Sequence, residues 1–128
     1  MDFSSDGQSL FAVDNATKVI AKVAVSNQAI LQTIPLSSLS QTPGAFTGLL
    51  ASHDGTSLYL TQENVSNVCA LSIKTGMTTF CSAVDFSPSG MEYLSGSLYL
   101  LYSTGEPGAP MLLDGSQGAV WFVPAVQN

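Results

Sequence analysis

The sequence predicts an all-β chain assembled from repeated units of antiparallel strands, and three observations carry that prediction. Ser4-Ser5-Asp6-Gly7-Gln8-Ser9-Leu10-Phe11 returns as Ser52-His53-Asp54-Gly55-Thr56-Ser57-Leu58-Tyr59, an offset of 48 that holds without a gap from Val19–Val25 onto Asn67–Ile73. The apolar residues alternate with period two in short runs bounded by Gly, Pro, Asn, Asp and Ser, the pattern of strands and turns. No stretch shows apolar residues at i, i+3, i+4 and i+7 with caps, so almost no helix is expected. A repeat of roughly 40–50 residues made of short strands is the signature of propeller blades. Three units fit the chain: blade 1 over about residues 1–43, blade 2 over about 44–82, blade 3 over about 83–128.

In blade 1 the Asp6-Gly7 turn leads into the strand Leu10–Val13, because Asp-Gly between two strand-like runs favours a hairpin. After the polar turn Asp14-Asn15-Ala16-Thr17, residues Lys18–Val25 alternate. Val19, Ala21, Val23 and Val25 form one face, and Ile20, Lys22 and Ala24 the other. Ser26-Asn27-Gln28 turns the chain into Ala29–Ile34, and Pro35 ends that strand for want of an N–H. Ser37–Gly44 reads as a connector. Blade 2 follows as Thr47–Ser52, Thr56–Gln62, Asn67–Ile73 and Met77–Ser82, the last two joined around Lys74-Thr75-Gly76. Blade 3 is less regular. Met91–Leu94 and Ser97–Ser103 read as strands, Thr104–Gly118 as a long Gly- and Pro-containing loop, and Ala119–Pro124 as a last apolar run. On this reading blade 3 lacks its outer strand, and blade 1 lacks most of its opening one.

Composition narrows the function classes. The chain has 128 residues, 45% apolar and 9% charged, with three lysines, no arginine and net charge −6. That excludes a disordered chain, and a basic surface for phosphate backbones is missing, so no nucleic acid partner is expected. No apolar run approaches the ~20 residues of a spanning helix, so no membrane insertion is expected. Met1-Asp2-Phe3 shows no basic n-region, so no signal peptide is read here.

Phe3-Ser4-Ser5-Asp6-Gly7-Gln8-Ser9-Leu10-Phe11-Ala12-Val13-Asp14-Asn15, with Val23-Ala24-Val25 and Ile30-Leu31-Gln32-Thr33-Ile34, resembles a YVTN-type or NHL-type propeller blade. Gly90-Met91-Glu92-Tyr93-Leu94-Ser95-Gly96-Ser97-Leu98-Tyr99 is similar to a blade of some secreted propellers. The resemblance covers nearly the whole chain and implies an incomplete ring. Its motifs specify strands and turns, not chemistry. Relatives include lactonases, dehydrogenase scaffolds and binding modules, and no catalytic residue of theirs has a match here. Fold alone does not give function.

Cys69 and Cys81 flank the Lys74-Thr75-Gly76 hairpin. If Ile73 faces Met77, the two cysteines sit directly across the ladder, where cross-strand Cβ atoms come within disulfide reach. A disulfide implies an oxidising compartment, hence an extracellular or periplasmic protein. Asn15-Ala16-Thr17 and Asn64-Val65-Ser66 are glycosylation sequons in corresponding loops of two blades, and they mark exposed loops. His53, the single histidine, reads as an exposed turn residue in preference to a general base or ligand. Asp85, Glu92, Glu106 and Asp114 are scattered, as solvated loop carboxylates are. No Cys/His cluster points to a metal, and no cofactor fingerprint is found. Tyr93, Tyr99, Tyr102 and Trp121 concentrate in blade 3 and are the candidate ligand-binding residues, set against ordinary packing between blades.

The expected function is therefore a non-catalytic propeller binding or scaffold module in a secreted or surface protein, meeting a protein or glycan. The alternative is a segment of a propeller hydrolase such as a lactonase, with its site on the axis. Three blades leave two open ends, so the expected partners are a second copy of the chain or the remaining blades of a longer one.

Overall fold

The structure is a computed structural model that describes residues 2–36, 45–63, 65–84, 86–103 and 110–122. It is all-β: three four-stranded antiparallel sheets, each a meander in sequence order. The first comprises β1 (Asp2–Phe3), β2 (Ser9–Asp14), β3 (Val19–Ala24) and β4 (Ile30–Pro35). The second comprises β5 (Phe46–Ala51), β6 (Ser57–Gln62), β7 (Asn67–Ser72) and β8 (Thr78–Ala83). The third comprises β9 (Gly90–Ser95), β10 (Leu98–Tyr102), β11 (Met111–Asp114) and β12 (Ala119–Phe122). The opening strands β1, β5 and β9 meet from sheet to sheet, so the three blades pack side by side around one line. This is a partial propeller.

The repeated Ser-x-Asp-Gly stretch has a structural task. Asp6 accepts from the Ser4 hydroxyl at 2.6 Å and from the Gln8 N–H at 2.9 Å, while Ser9 N–H donates to Ser4 Oγ at 3.1 Å. Blade 2 repeats the network: Ser52 Oγ to Asp54 at 2.6 Å, Thr56 N–H to Asp54 at 3.0 Å, Ser57 N–H to Ser52 Oγ at 2.9 Å. The carboxylate satisfies turn amides that the ladder cannot reach. Gly7 and Gly55 follow at φ +73° and +79°, a region that a side chain disfavours. Pro35 sits on the edge strand β4, where no ladder N–H is needed.

Two expectations change. Blade 3 is four-stranded: Met111–Asp114 forms β11, pairing with β10 from Leu98↔Asp114 to Leu101↔Met111, and β12 closes the sheet. The predicted long loop therefore contains a strand, because Met111 and Leu113 alternate inward within it and are both buried. Among the described residues blade 1 opens with a two-residue strand. The predicted connector 37–44 lies outside the described residues.

The core divides into two seams. Between blades 1 and 2 lie Phe11, Ile20, Ile34, Leu36, Phe46, Leu49, Leu58, Leu60 and Leu71. Between blades 2 and 3 lie Tyr59, Val68, Ala70, Val84, Tyr99, Leu101, Met111 and Leu113. The sheets alternate as pleated strands must. In β6, Leu58 and Leu60 face blade 1, and Tyr59 between them faces blade 3.

Candidate functional site

At the turn end of the seam between blades 2 and 3 the sheets part, leaving a cleft of about 480 Å³. Blade 2 contributes the β5–β6 turn with Asp54 and Thr56, the Tyr59 ring, and Phe80 from β8. Blade 3 contributes Ser97 and Tyr99, with Ser116 and Gln117 from the β11–β12 turn. Tyr59 and Tyr99 touch at 4.7 Å between centroids, and Phe80 stands 6.4 Å from Tyr59, giving the cleft an aromatic floor. The Tyr99 hydroxyl accepts from the His53 N–H at 2.9 Å, which ties the two blades together. The Ser82 hydroxyl does the same at the outer strands, donating to the Gly118 carbonyl at 2.5 Å.

The electrostatics of the rim are set by hydroxyls. Thr56 Oγ1 donates to Asp54 at 2.8 Å, and Ser97 and Ser116 donate to Asp114 at 2.8 and 2.6 Å. These bonds stabilise the ionised forms. Asp54 is held below the ordinary aspartate value, first by the Ser52 hydroxyl and then by Thr56. Asp114 is held below it by Ser116 and then Ser97. Burial pushes the Tyr59 phenol up, with Tyr99 and the two carboxylates adding to the effect, so the ring stays neutral. Among the described residues no lysine lines the cleft.

The candidate ligand-binding residues fall on two different faces of blade 3. Tyr93 pairs across from Tyr99, and both face blade 2. Tyr99 is 2% exposed and lines the cleft, whereas Tyr93 is 37% exposed and stacks flat on His53 at 4.3 Å between centroids. Tyr102 and Trp121 lie on the opposite face, since Trp121 pairs with Leu112, which pairs with Leu100. The structure thus brings Tyr93 and Tyr99 together and separates them from Tyr102 and Trp121. Thr56, Phe80, Ser97 and Ser116 enter the site without having been singled out in the sequence.

Cys69 and Cys81 are joined in a disulfide, directly paired in the β7–β8 ladder with Cα atoms 4.1 Å apart. Asn15 is exposed, and its carboxamide is engaged: it accepts from Phe46 N–H at 2.8 Å and donates to the Phe46 carbonyl at 3.4 Å, bridging blades 1 and 2. Asn64, Asp85 and Glu106 lie outside the described residues, and Glu92 is exposed. No helix among the described residues is long and apolar enough to cross a membrane.

Comparison with known proteins supports the fold. No family model matches the chain, and no curated protein matches it. Solved structures do. The chain superposes on hydrazine synthase from Kuenenia stuttgartiensis with a TM-score of 0.76 at 17% identity, over 94% of this chain and 33% of that one. It superposes on the β-propeller domain of Cps50 (Swd1) from Myceliophteria thermophila with a TM-score of 0.69 at 14% identity, over 97% and 38%. The RRP9 WD40 repeats give a TM-score of 0.70 at 15% identity, over 94% and 37%. The chain therefore spans about a third of the length of the solved structures it matches. The fold class is a β-propeller segment, three blades of antiparallel strands.

Proposed function

We propose that this chain is a non-catalytic binding or scaffold segment of a YVTN/NHL-type propeller, in a secreted or surface protein, and that its two terminal blades are covered by protein. The observation that carries the reading is where large apolar side chains are exposed. Phe3, Val25, Ile30 and Leu31 are on blade 1, and Leu94 and Trp121 on blade 3 together with Tyr93, which faces blade 2, while blade 2 exposes only Met77 among the described residues. The register shows why. On blade 1 the face turned away from blade 2 carries Phe3, Leu10, Ala12, Ala21 and Val23. On blade 3 the outward face carries Leu100, Leu112 and Trp121. A blade in the middle of a row has both faces covered, and these two faces have the composition of covered ones.

The cover is either a second copy of the chain or the remaining blades of a longer parent, as in the solved propellers of which this chain matches a third. The aromatic candidates divide accordingly: Tyr93 and Tyr99 border the side where a protein or glycan ligand would sit, Tyr102 and Trp121 belong to the outward face under the cover, and Asn15 and Asn64 stand as acceptor sites for glycans. The Cys69–Cys81 disulfide supports an extracellular or periplasmic location. Light scattering on the 128-residue chain tests the reading of the faces. A dimer or higher assembly indicates self-closure, and concentration-dependent aggregation indicates missing blades. A folded monomer, independent of concentration, refutes both.

A further inference from the structure

Blades 1 and 2 are copies, so the two seams can be compared row by row. At the offset of 48, Asp6 corresponds to Asp54, Phe11 to Tyr59, Lys22 to Ala70 and Gln32 to Phe80. The ladders agree: Phe11 pairs directly with Lys22, and Tyr59 directly with Ala70. In the first seam the Lys22 ammonium lies over the Phe11 ring, 5.7 Å from its centroid. Asp6 feels that charge, after the larger effects of the Ser4 hydroxyl and the Gln8 N–H. The cavity there, lined by Asp6, Phe11 and Lys22 among others, is only about 100 Å³. In the second seam the aromatic ring and the aspartate are kept, the ammonium is absent, and the cavity is about 480 Å³.

We propose that the cleft between blades 2 and 3 is a binding site for an alkylammonium group, which supplies from outside the cation that blade 1 carries on Lys22. Its volume lies within the roughly 300–1,000 Å³ of small-ligand sites. Three hydroxyl groups at its rim are already turned: Thr56, Ser97 and Ser116 give their protons to Asp54 and Asp114, so what their oxygens still offer is lone pairs. All the bonds to Asp54 fall on Oδ1, and Oδ2 takes none among the described residues. Carboxylate and hydroxyl acceptors on the rim, rings on the floor and no lysine in the lining favour a positively charged donor, and the donors that also line the cleft, the Gln117 carboxamide and the two phenols, are neutral. The same potential opposes carboxylates and phosphates. The ammonium can come from a lysine side chain of a protein partner or from a free diamine, and the chemistry at the cleft is the same.

The probe is n-butylammonium, which has the length of a lysine side chain, titrated into the full chain and followed by NMR shifts of Tyr59, Tyr99 and Phe80. Saturable binding is expected about tenfold or more tighter than that of 1-butanol, with butyrate not binding. Asp54→Asn keeps the turn's geometry and should weaken butylammonium by about tenfold. Ala70→Lys should abolish binding by filling the cleft with a tethered ammonium. Because Ala70 is fully buried, Lys22→Ala provides the reciprocal test: it should create a second butylammonium site that shifts Phe11. A single-lysine peptide that outcompetes cadaverine assigns the cation to a partner protein, and the reverse order assigns it to a free amine. Equal affinity for butylammonium and butanol, or a butylammonium affinity that Asp54→Asn leaves unchanged, overturns the proposal.

Discussion

The two seams are built by one repeat and yet differ in kind. Between blades 1 and 2 the apolar core among the described residues is made of aliphatic and phenylalanine side chains, and the polar bridges beside it run to the backbone, from Gln32 to the Ile73 carbonyl at 2.8 Å and from the Ala51 N–H to Asp2 at 2.9 Å. Between blades 2 and 3 two tyrosines enter the buried set, and the seam opens into the cleft at its turn end. Aliphatic side chains interdigitate to high density with no orientation to satisfy. A buried tyrosine must also place its hydroxyl, and Tyr99 does so against the His53 N–H. The fold is indifferent to which kind of seam it carries. The turns, the ladders and the Ser-x-Asp-Gly network are common to blades 1 and 2, and a change of a few residues in one row, Phe11-Lys22-Gln32 to Tyr59-Ala70-Phe80, separates a closed seam from an open one.

The largest loss is expected from a cut into the first seam. Leu58 is fully buried in it, and Leu58→Ala should cost about 2–5 kcal/mol, read from the denaturation midpoint. Phe80→Ala on the cleft wall should cost less, because Phe80 is half-buried and its removal widens an existing opening instead of creating a sealed void. Equal losses would mean that the cleft is packed as tightly as the other seam. Next in size is the disulfide. Its cysteines are 12 apart in sequence, and closing a loop of about that length stabilises by about 3 kcal/mol on the chain-entropy account. Reduction frees β8, which carries Thr79 and Phe80 into the cleft, so hydrogen exchange should quicken around the second seam before the first. Two free thiols found by mass spectrometry in unreduced protein would contradict the bond.

How far the sequence reveals this follows from the range of each interaction. Strands and turns of blades 1 and 2 were legible because each is decided within a few residues, by Asp-Gly turns and period-two alternation. The cysteine pairing was legible for the same reason, although one premise shifts: Leu71 pairs with Thr78 across an irregularity at Ala70/Leu71, so Ser72, and not Ile73, bonds the Met77 carbonyl at 2.9 Å. The irregularity absorbs the one-residue difference, and Cys69 still meets Cys81. β11 was hidden because four residues between Gly- and Pro-containing segments give too short an alternation to recognise. The cleft was not legible because it exists only between two sheets. Composition alone grouped Tyr93, Tyr99, Tyr102 and Trp121, and the pleat divides them between two faces. One signal was present: at the offset of 48 the polar pair Lys22 and Gln32 is replaced by Ala70 and Phe80, while the aromatic residue and the aspartate are kept.

A smaller effect sharpens the second seam. Tyr99→Phe keeps the ring against Tyr59 and removes only the acceptor of the His53 N–H. A part-buried amide then loses its partner, at a cost of about 1–2 kcal/mol. Thermal denaturation should register that loss, and hydrogen exchange should place it at the His53 amide. An unchanged midpoint would show that water replaces the phenol and that the inter-blade bond adds no stability.

The smallest expected effect separates the seams by their response to acid and salt. Asp6, Asp54 and Asp114 all have folded-state values lowered by hydrogen bonds from neighbouring hydroxyls and amides. A lowered value means that the native state prefers the ionised carboxylate more than the unfolded chain does. The stabilisation is therefore present above the unfolded value of about 3.9 and is lost as pH falls through the lower folded value. Since Asp6 is exposed and Asp114 only partly buried, the loss should be gradual, a slope in stability below about pH 4 and not a sharp transition. Salt should distinguish the two. Asp6 owes part of its shift to the Lys22 charge, and that part is screened as ionic strength rises. Asp114 owes its shift to the hydroxyls of Ser116 and Ser97 and the Ser116 N–H, which salt leaves in place. Carboxyl titrations by NMR at low and high salt should show the Asp6 value rising slightly while that of Asp114 stays put. Parallel movement of both would mean that screening acts on the field of the whole chain and that the Lys22 charge does not set Asp6 apart from Asp114.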